Sequence, residues 1–207
     1  MRLLTRLAVI ALLVTLAAPA EAGKFNKTLS PGDPAPAWDN LDGTDGTKHA
    51  LADFKGKDVV VVVFTCNSCP VAEGYEDRII GFATKHAGPD AKVGLVAINV
   101  NTGKDDALPA MKVRAGKKKF PFPYLYDPTQ EIARKYGAAY TPEFFVLDRD
   151  RKVVYLGAMD DKAPPGEAKL NHLEVAVAAA LTGQKPELAE TSAAAGCRIK
   201  LNRKKDD

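Results

Sequence analysis

The chain has 207 residues, of which 46% are hydrophobic and 27% charged, with a formal net charge of +3. That length suits one domain, and the composition is ordinary for a globular protein. The basic excess is too small to argue for a nucleic-acid partner, and none is expected; three cysteines are too few to staple a fold of this size.

Arg2 and Arg6 precede an almost wholly apolar run from Leu7 to Ala18, and small residues follow at Ala18-Pro19-Ala20 and Ala20-Glu21-Ala22. This pattern predicts a secretory signal peptide over residues 1–22. The alternative is an uncleaved anchor, but the run falls short of the about 20 residues that span a bilayer. No later stretch is apolar for long enough to do so. The expectation is an exported chain, periplasmic or secreted, with no stable membrane insertion after cleavage.

Residues 23–53 are rich in Gly, Pro, Asp and Thr and read as turns around a loose strand pair. Five consecutive valines and Phe64 then predict a strand buried on both faces, since β-branched side chains suit strands and covered sheets lack alternation. Beyond Cys66 and Cys69, the positions Val71, Tyr75, Ile79, Ile80, Phe82 and Ala83 share roughly one helical face, with a stop at Gly88. Val93 to Val100 is a second buried strand. Asp105 to Gly116 reads as a helix, and Lys117-Lys118-Lys119 as a solvated patch. The aromatic, proline-punctuated segment from Phe120 to Tyr126 reads as an edge segment. A short helix is expected from Asp127 to Tyr136, a hairpin from Phe144–Leu147 and Val153–Leu156, and a last helix from Glu167 to Leu181.

This order predicts an α/β fold in a single domain, with a central mixed sheet flanked by helices. The early strand–helix–strand unit should pair in parallel and the later hairpin antiparallel. The domain is expected over residues 23–186. Residues 187–207 form a polar, basic C-terminal tail carrying Cys197.

The chemistry concentrates at Cys66-Asn67-Ser68-Cys69. Cys66 follows a buried strand and is placed where a helix begins. Unpaired amides and the helix dipole at such a point favour the thiolate, the attacking species in disulfide exchange. Cys69, three residues on, is within reach to close a disulfide, so the spacing supplies a nucleophile and a resolving thiol. Pro70 falls in the first helical turn, where its missing amide hydrogen does least harm. An inert buried disulfide is the bland alternative. Zinc would want two further ligands, but His49, His86, His172 and Cys197 are scattered, so no metal is expected.

The succession of buried strand, Phe64-Thr65-Cys-x-x-Cys and amphipathic helix resembles the thioredoxin superfamily. Pro31-Gly32-Asp33-x-Ala35-Pro36, the stretch Phe122 to Asp127, and Tyr140-Thr141-Pro142 through Asp148 resemble its redoxin branch, which holds alkyl hydroperoxide reductase-like and TlpA-like proteins. Gly196-Cys197-Arg198-Ile199-Lys200 is similar to a short C-terminal motif in some redoxin-domain proteins with this cysteine pair. The resemblance implies a thioredoxin-like fold and thiol–disulfide oxidoreductase activity through Cys66 and Cys69. Protein thiol or disulfide substrates and a redox partner protein are implied, with no prosthetic cofactor. It also implies that Pro142 is a cis-proline shaping a substrate groove, with the Thr141 backbone available for hydrogen bonds.

The chain departs from these relatives in three places. Thr65 stands where thioredoxin usually has tryptophan. Val60 stands where it has a buried acid, which leaves Glu73 or water to accept a proton from Cys69. The peroxiredoxin pattern Pro-x-x-x-Thr-x-x-Cys is missing, since Val59 and Val63 hold its Pro and Thr positions. A peroxiredoxin-like antioxidant protein and a Sco-like copper-delivery protein using both cysteines and His172 are the alternatives. The copper family's usual Cys-x-x-x-Cys spacing is absent here. Cys197 is either a third redox thiol or a packed thiol without a catalytic part.

Overall fold

The computed structural model describes residues 23–202. The expected signal segment 1–22 lies outside the described residues, as do residues 203–207 of the tail. Among the described residues no helix is long and apolar enough to cross a membrane.

The valine run forms strand β3 (Val59–Phe64), every residue of which is buried. Its two faces feed two separate cores. Val60, Val62 and Phe64 pack with Leu29, Trp38, Ile132, Tyr136 and Phe145 on one side of the sheet. Val59, Val61 and Val63 pack with Tyr75, Ile79, Met111 and Leu173 on the other. A strand that supplies both cores has no solvent face, which is why the sequence shows no alternation. Each such valine contributes roughly 1.5 kcal/mol or more on burial.

The hairpin β1 (Leu41–Gly43) and β2 (Lys48–His49) precedes β3. Helix α1 (Pro70–His86) leads from β3 to β4 (Val93–Asn99), and α2 (Leu108–Lys118) leads on to β5 (Tyr124–Tyr126). Then come α3 (Glu131–Tyr136), β6 (Tyr140–Thr141), β7 (Glu143–Leu147) and β8 (Val153–Gly157). Helix α4 (His172–Leu181) and the short strand β9 (Cys197–Arg198) finish the chain. The main sheet runs in the order β2-β1-β5-β4-β3-β7-β8. Strands β3, β4 and β5 are parallel, while β1, β7 and β8 join antiparallel. This is the mixed sheet the sequence predicts. Side chains of α1, α2 and α4 cover one face, and α3 with the N-terminal segment covers the other.

Three expectations are corrected. The segment around Phe120–Tyr126 is not an edge: β5 lies between β4 and β1, because the N-terminal hairpin adds to its outer side. Pro121 and Pro123 precede the strand, so their missing amides cost the ladder nothing. The last helix begins at His172 rather than Glu167, because the Asn171 side chain accepts from the Glu174 amide and caps it there. Helix α2 starts at Leu108 with Pro109 in its first turn, where proline is tolerated, and runs on to Lys118.

The described part of the tail packs onto the domain. The Leu156 amide donates to Ala189 O and the Thr191 amide to Leu156 O, which fixes one end beside β8. Strand β9 pairs antiparallel with β6, and Ile199 is buried in the core on the α3 side. The Gln130 side chain then binds Lys200 O and the Asn202 amide, at 2.9 and 2.7 Å. The tail is a strap, and it crosses the end of the sheet where Cys66 and Cys69 sit.

Candidate active site

Cys66 emerges two residues beyond the buried end of β3, held by the Thr65 amide donating to Ile98 O of β4. The sequence places Cys66 where the helix begins, but α1 begins at Pro70 and its N-cap is Cys69. Cys69 Sγ therefore accepts the free amide of the first turn, from Ala72 at 3.3 Å. The thiolate-favouring position belongs to the second cysteine rather than the first.

Thr141 joins the two sulfurs. Its hydroxyl lies 3.4 Å from Cys66 Sγ, and its carbonyl accepts the Cys69 thiol at 3.2 Å. The Thr141-Pro142 peptide bond is cis. Behind it, the buried Glu143 carboxylate accepts the amides of Ala139 and Tyr140 at 2.7 and 3.0 Å, tying the loop into which Thr141 is built. The backbone edge of Thr141, expected to be open, is paired with β9, Thr141 facing Cys197.

The two residues between the cysteines hang from Asp106. Its carboxylate accepts the Asn67 amide at 2.8 Å, the Ser68 amide at 3.1 Å and the Ser68 hydroxyl at 2.6 Å. Asn99 fixes Asp106 in turn through its carbonyl, and Tyr124 donates its hydroxyl to Asn67. Nothing local in the sequence marks Asp106, which reaches the site from the loop after β4.

These contacts divide the thiols. Burial raises the Cys66 pKa; the Thr141 hydroxyl lowers it by less than that, and the Asp106 carboxylate adds a smaller upward push. Burial also pushes Cys69 up, but hydrogen bonds from the Cys197 thiol, the Ala72 amide and the Thr141 hydroxyl outweigh it, so its pKa falls. Donation to Cys69 and burial push the Cys197 thiol up to about 11. Of the two thiols of the pair, Cys69 is therefore the one whose ionised form its surroundings favour. Cys66, Cys69 and Ala72 form one small buried cluster, with Cys197 and Val71 packed against it.

Glu73 is not placed as a proton acceptor: it is half-exposed and pairs with Arg114 at 3.2 Å. Besides Asp106, a second buried acid, Glu76, lines a small cavity with Cys66, Thr65 and Tyr124. His172 opens α4, with Asp161 as its charged neighbour. Among the described residues no group of three or more His, Cys, Asp or Glu side chains is arranged to hold a metal ion. The copper alternative thus lacks the His172 juxtaposition it needs.

A parallel core with antiparallel flanking strands and a Cys-x-x-Cys loop facing a cis-proline together define a protein of the thioredoxin superfamily, with a thioredoxin-like fold. Within it, the chain belongs to the Redoxin family, whose sequence model matches residues 30–173. The structure is similar to that of an uncharacterised conserved protein from Geobacillus kaustophilus, at 35% identity and a TM-score of 0.76, covering 86% of this chain and 95% of that one. A hypothetical protein from Sinorhizobium meliloti 1021 matches at 31% identity and a TM-score of 0.75, over 86% of this chain and 97% of that one. A protein from Chlorobium tepidum, provisionally named thiol:disulfide interchange protein DsbE, is similar at 25% identity and a TM-score of 0.59, over 74% of this chain and 99% of that one. Among curated proteins, one from Mycobacterium tuberculosis, provisionally named a peroxiredoxin, is 29% identical over 142 residues, 61% of this chain and 83% of the relative. These similarities place the chain among thioredoxin-like redox proteins.

Proposed function

We propose that the chain is an exported thiol–disulfide oxidoreductase that exchanges disulfides with protein substrates through Cys66 and Cys69. The observation that carries this is the placement of the pair: two free thiols in one cluster, one capping α1 and both touching Thr141 beside a cis-proline. The amino-terminal pattern of residues 1–22 supports export. The resemblance to disulfide-interchange proteins supports protein substrates and a redox partner protein.

The division of the thiols supports a division of labour. Acting as a reductant, Cys66 as thiolate attacks a substrate disulfide, forms a mixed disulfide and releases one substrate thiolate. The Cys69 thiolate then attacks Cys66 Sγ, closing Cys66–Cys69 and releasing the second substrate thiolate. In reverse, a substrate thiolate attacks Cys66 and expels Cys69, the sulfur on which negative charge is stabilised. A lower-pKa thiol leaves faster, so Cys66 is the sulfur that bonds to substrate and Cys69 the one that resolves or leaves. The pair's reduction potential sets which direction prevails.

Incubating the reduced Cys69→Ser chain with a disulfide-bonded protein tests this. A mixed disulfide mapped to Cys66 is expected, and its absence, with Cys66 recovered as free thiol, contradicts the proposal. Peroxide reduction by Cys66 is a second possibility, favoured by the name of the Mycobacterium tuberculosis relative. A peroxidase would consume hydrogen peroxide rapidly on mixing with the reduced chain. A rate no faster than that of a free cysteine excludes it, as the missing proline and threonine at Val59 and Val63 lead us to expect.

A further inference from the structure

We infer that Cys197 is a third redox sulfur of this site, able to take Cys69 into a Cys69–Cys197 disulfide and to carry the exchange between the buried pair and the outside. This deepens, and rests on, the exchange chemistry proposed above.

Three observations carry the inference. The first is accessibility. Cys66 and Cys69 are only 3% and 2% exposed, so a bulky partner reaches them less readily than it reaches a surface thiol. Cys197 is part-exposed and packs against the same cluster. It is the sulfur through which the cluster reaches the surface.

The second is contact. Cys197 packs directly against the cluster of Cys66, Cys69 and Ala72, and β9 sets it opposite Thr141, whose carbonyl accepts the Cys69 thiol. Cys69 therefore has a neighbour on each side, Cys66 through the loop and Cys197 through the strap.

The third is that the strap is built to hold Cys197 there. Strand β9 sets Cys197 opposite Thr141, whose hydroxyl lies 3.5 Å from Cys197 O and whose carbonyl accepts from Cys69. Gly196 makes the approach possible: a Cβ at that position would lie 2.4 Å from Thr141 O. The strap is tied on both sides of Cys197, at Ala189 and Thr191 beside Leu156 and at Ile199 and Lys200 beside Ala139 and Gln130.

The steps balance. Starting from a Cys66–Cys69 disulfide, the Cys197 thiolate attacks Cys69 Sγ. The S–S bond to Cys66 breaks, the bond to Cys197 forms, and Cys66 leaves as thiolate and takes up the proton that Cys197 lost. No electrons enter or leave the chain. An external protein thiolate then attacks the part-exposed Cys197 Sγ and expels the Cys69 thiolate, which the Ala72 amide and the Thr141 hydroxyl stabilise. A second external thiolate attacks the external sulfur of that mixed disulfide. This closes the partner's own disulfide and releases Cys197, so two electrons have passed from the partner to the chain.

The test uses the full chain, unsubstituted, as Cys66→Ser and as Cys197→Ser, each reduced and then equilibrated with mixtures of reduced and oxidised glutathione. Alkylation and peptide mass mapping identify the linkages. A Cys69–Cys197 disulfide is expected in the Cys66→Ser chain, together with a recoverable fraction of it in the unsubstituted chain. Its absence from both overturns the inference. The Cys197→Ser chain separates the two levels: if it still forms Cys66–Cys69 while the other chains never form Cys69–Cys197, only the third sulfur is lost. If it leaves Cys66 and Cys69 as free thiols at every mixture, the exchange chemistry itself fails.

Discussion

Asp106 sets the conditions under which Cys66 works. Its carboxylate is buried, holds the backbone of Asn67 and Ser68, and raises the pKa of the neighbouring Cys66. Asp106→Asn removes the charge while keeping an acceptor. The Cys66 titration midpoint should then fall, and alkylation of Cys66 at neutral pH should speed up, read in a Cys69→Ser background. An unchanged or higher midpoint contradicts the account. Asp106→Ala also frees two amides and a hydroxyl, and should cost about 1–3 kcal/mol in urea unfolding. The sequence shows Cys66, Cys69, Thr141 and Pro142 because each sits in a short local pattern. It hides Asp106, which meets the loop only because β4 lies beside β3. It also misplaces the helix start: the favourable amide reaches Cys69 because Asn67 and Ser68 hang on Asp106 before α1 begins.

At the scale of elements, the strap and the Thr141 loop decide what the sulfurs meet. Gly196→Ala would drive a methyl group against Thr141 O, a backbone atom that cannot step aside cheaply. Overpacking of this kind costs about 1–3 kcal/mol. It should loosen β9, draw the Cys197 thiol away from the cluster and raise the Cys69 pKa, seen as slower alkylation of Cys69 at neutral pH. Faster alkylation there would mean that exposure outweighs the loss of the Cys197 thiol, contrary to the account. Glu143 offers a test by pH. Burial raises its carboxyl pKa against two amide donors that lower it. A group raised in the folded state stabilises the fold below its unfolded value, and that stability is lost as pH rises through the folded value. Glu143→Gln keeps an acceptor for the two amides and cannot ionise. The loss of stability with rising pH just above the ordinary carboxylate range should therefore diminish in the variant, measured by urea unfolding across that window. An identical pH dependence in both chains would contradict it. These features were poorly legible in the sequence. The tail reads as polar and solvated, and only its pairing with β6 and the burial of Ile199 show it as part of the domain. Likewise, prolines made β5 read as an edge because the hairpin that covers it lies some 80 residues earlier in the chain.

At the scale of the whole molecule, one seven-stranded sheet supplies the frame. Its central parallel strands deliver Cys66 and Asp106 to the same end, and antiparallel β7 delivers the Thr141 turn beside them. This architecture was legible because the valine run, the hairpin and the helix periodicities are strong local signals with one consistent arrangement. The strap then closes over that end, giving a site with three free thiols, of which Cys69 has its pKa lowered. The most direct test of the central claim is a free-thiol count on the unsubstituted chain across a glutathione redox titration. The account predicts three free thiols at the reducing end and, through a two-electron transition, one at the oxidising end, with Cys69 always among those consumed. Three free thiols at every glutathione ratio would contradict it.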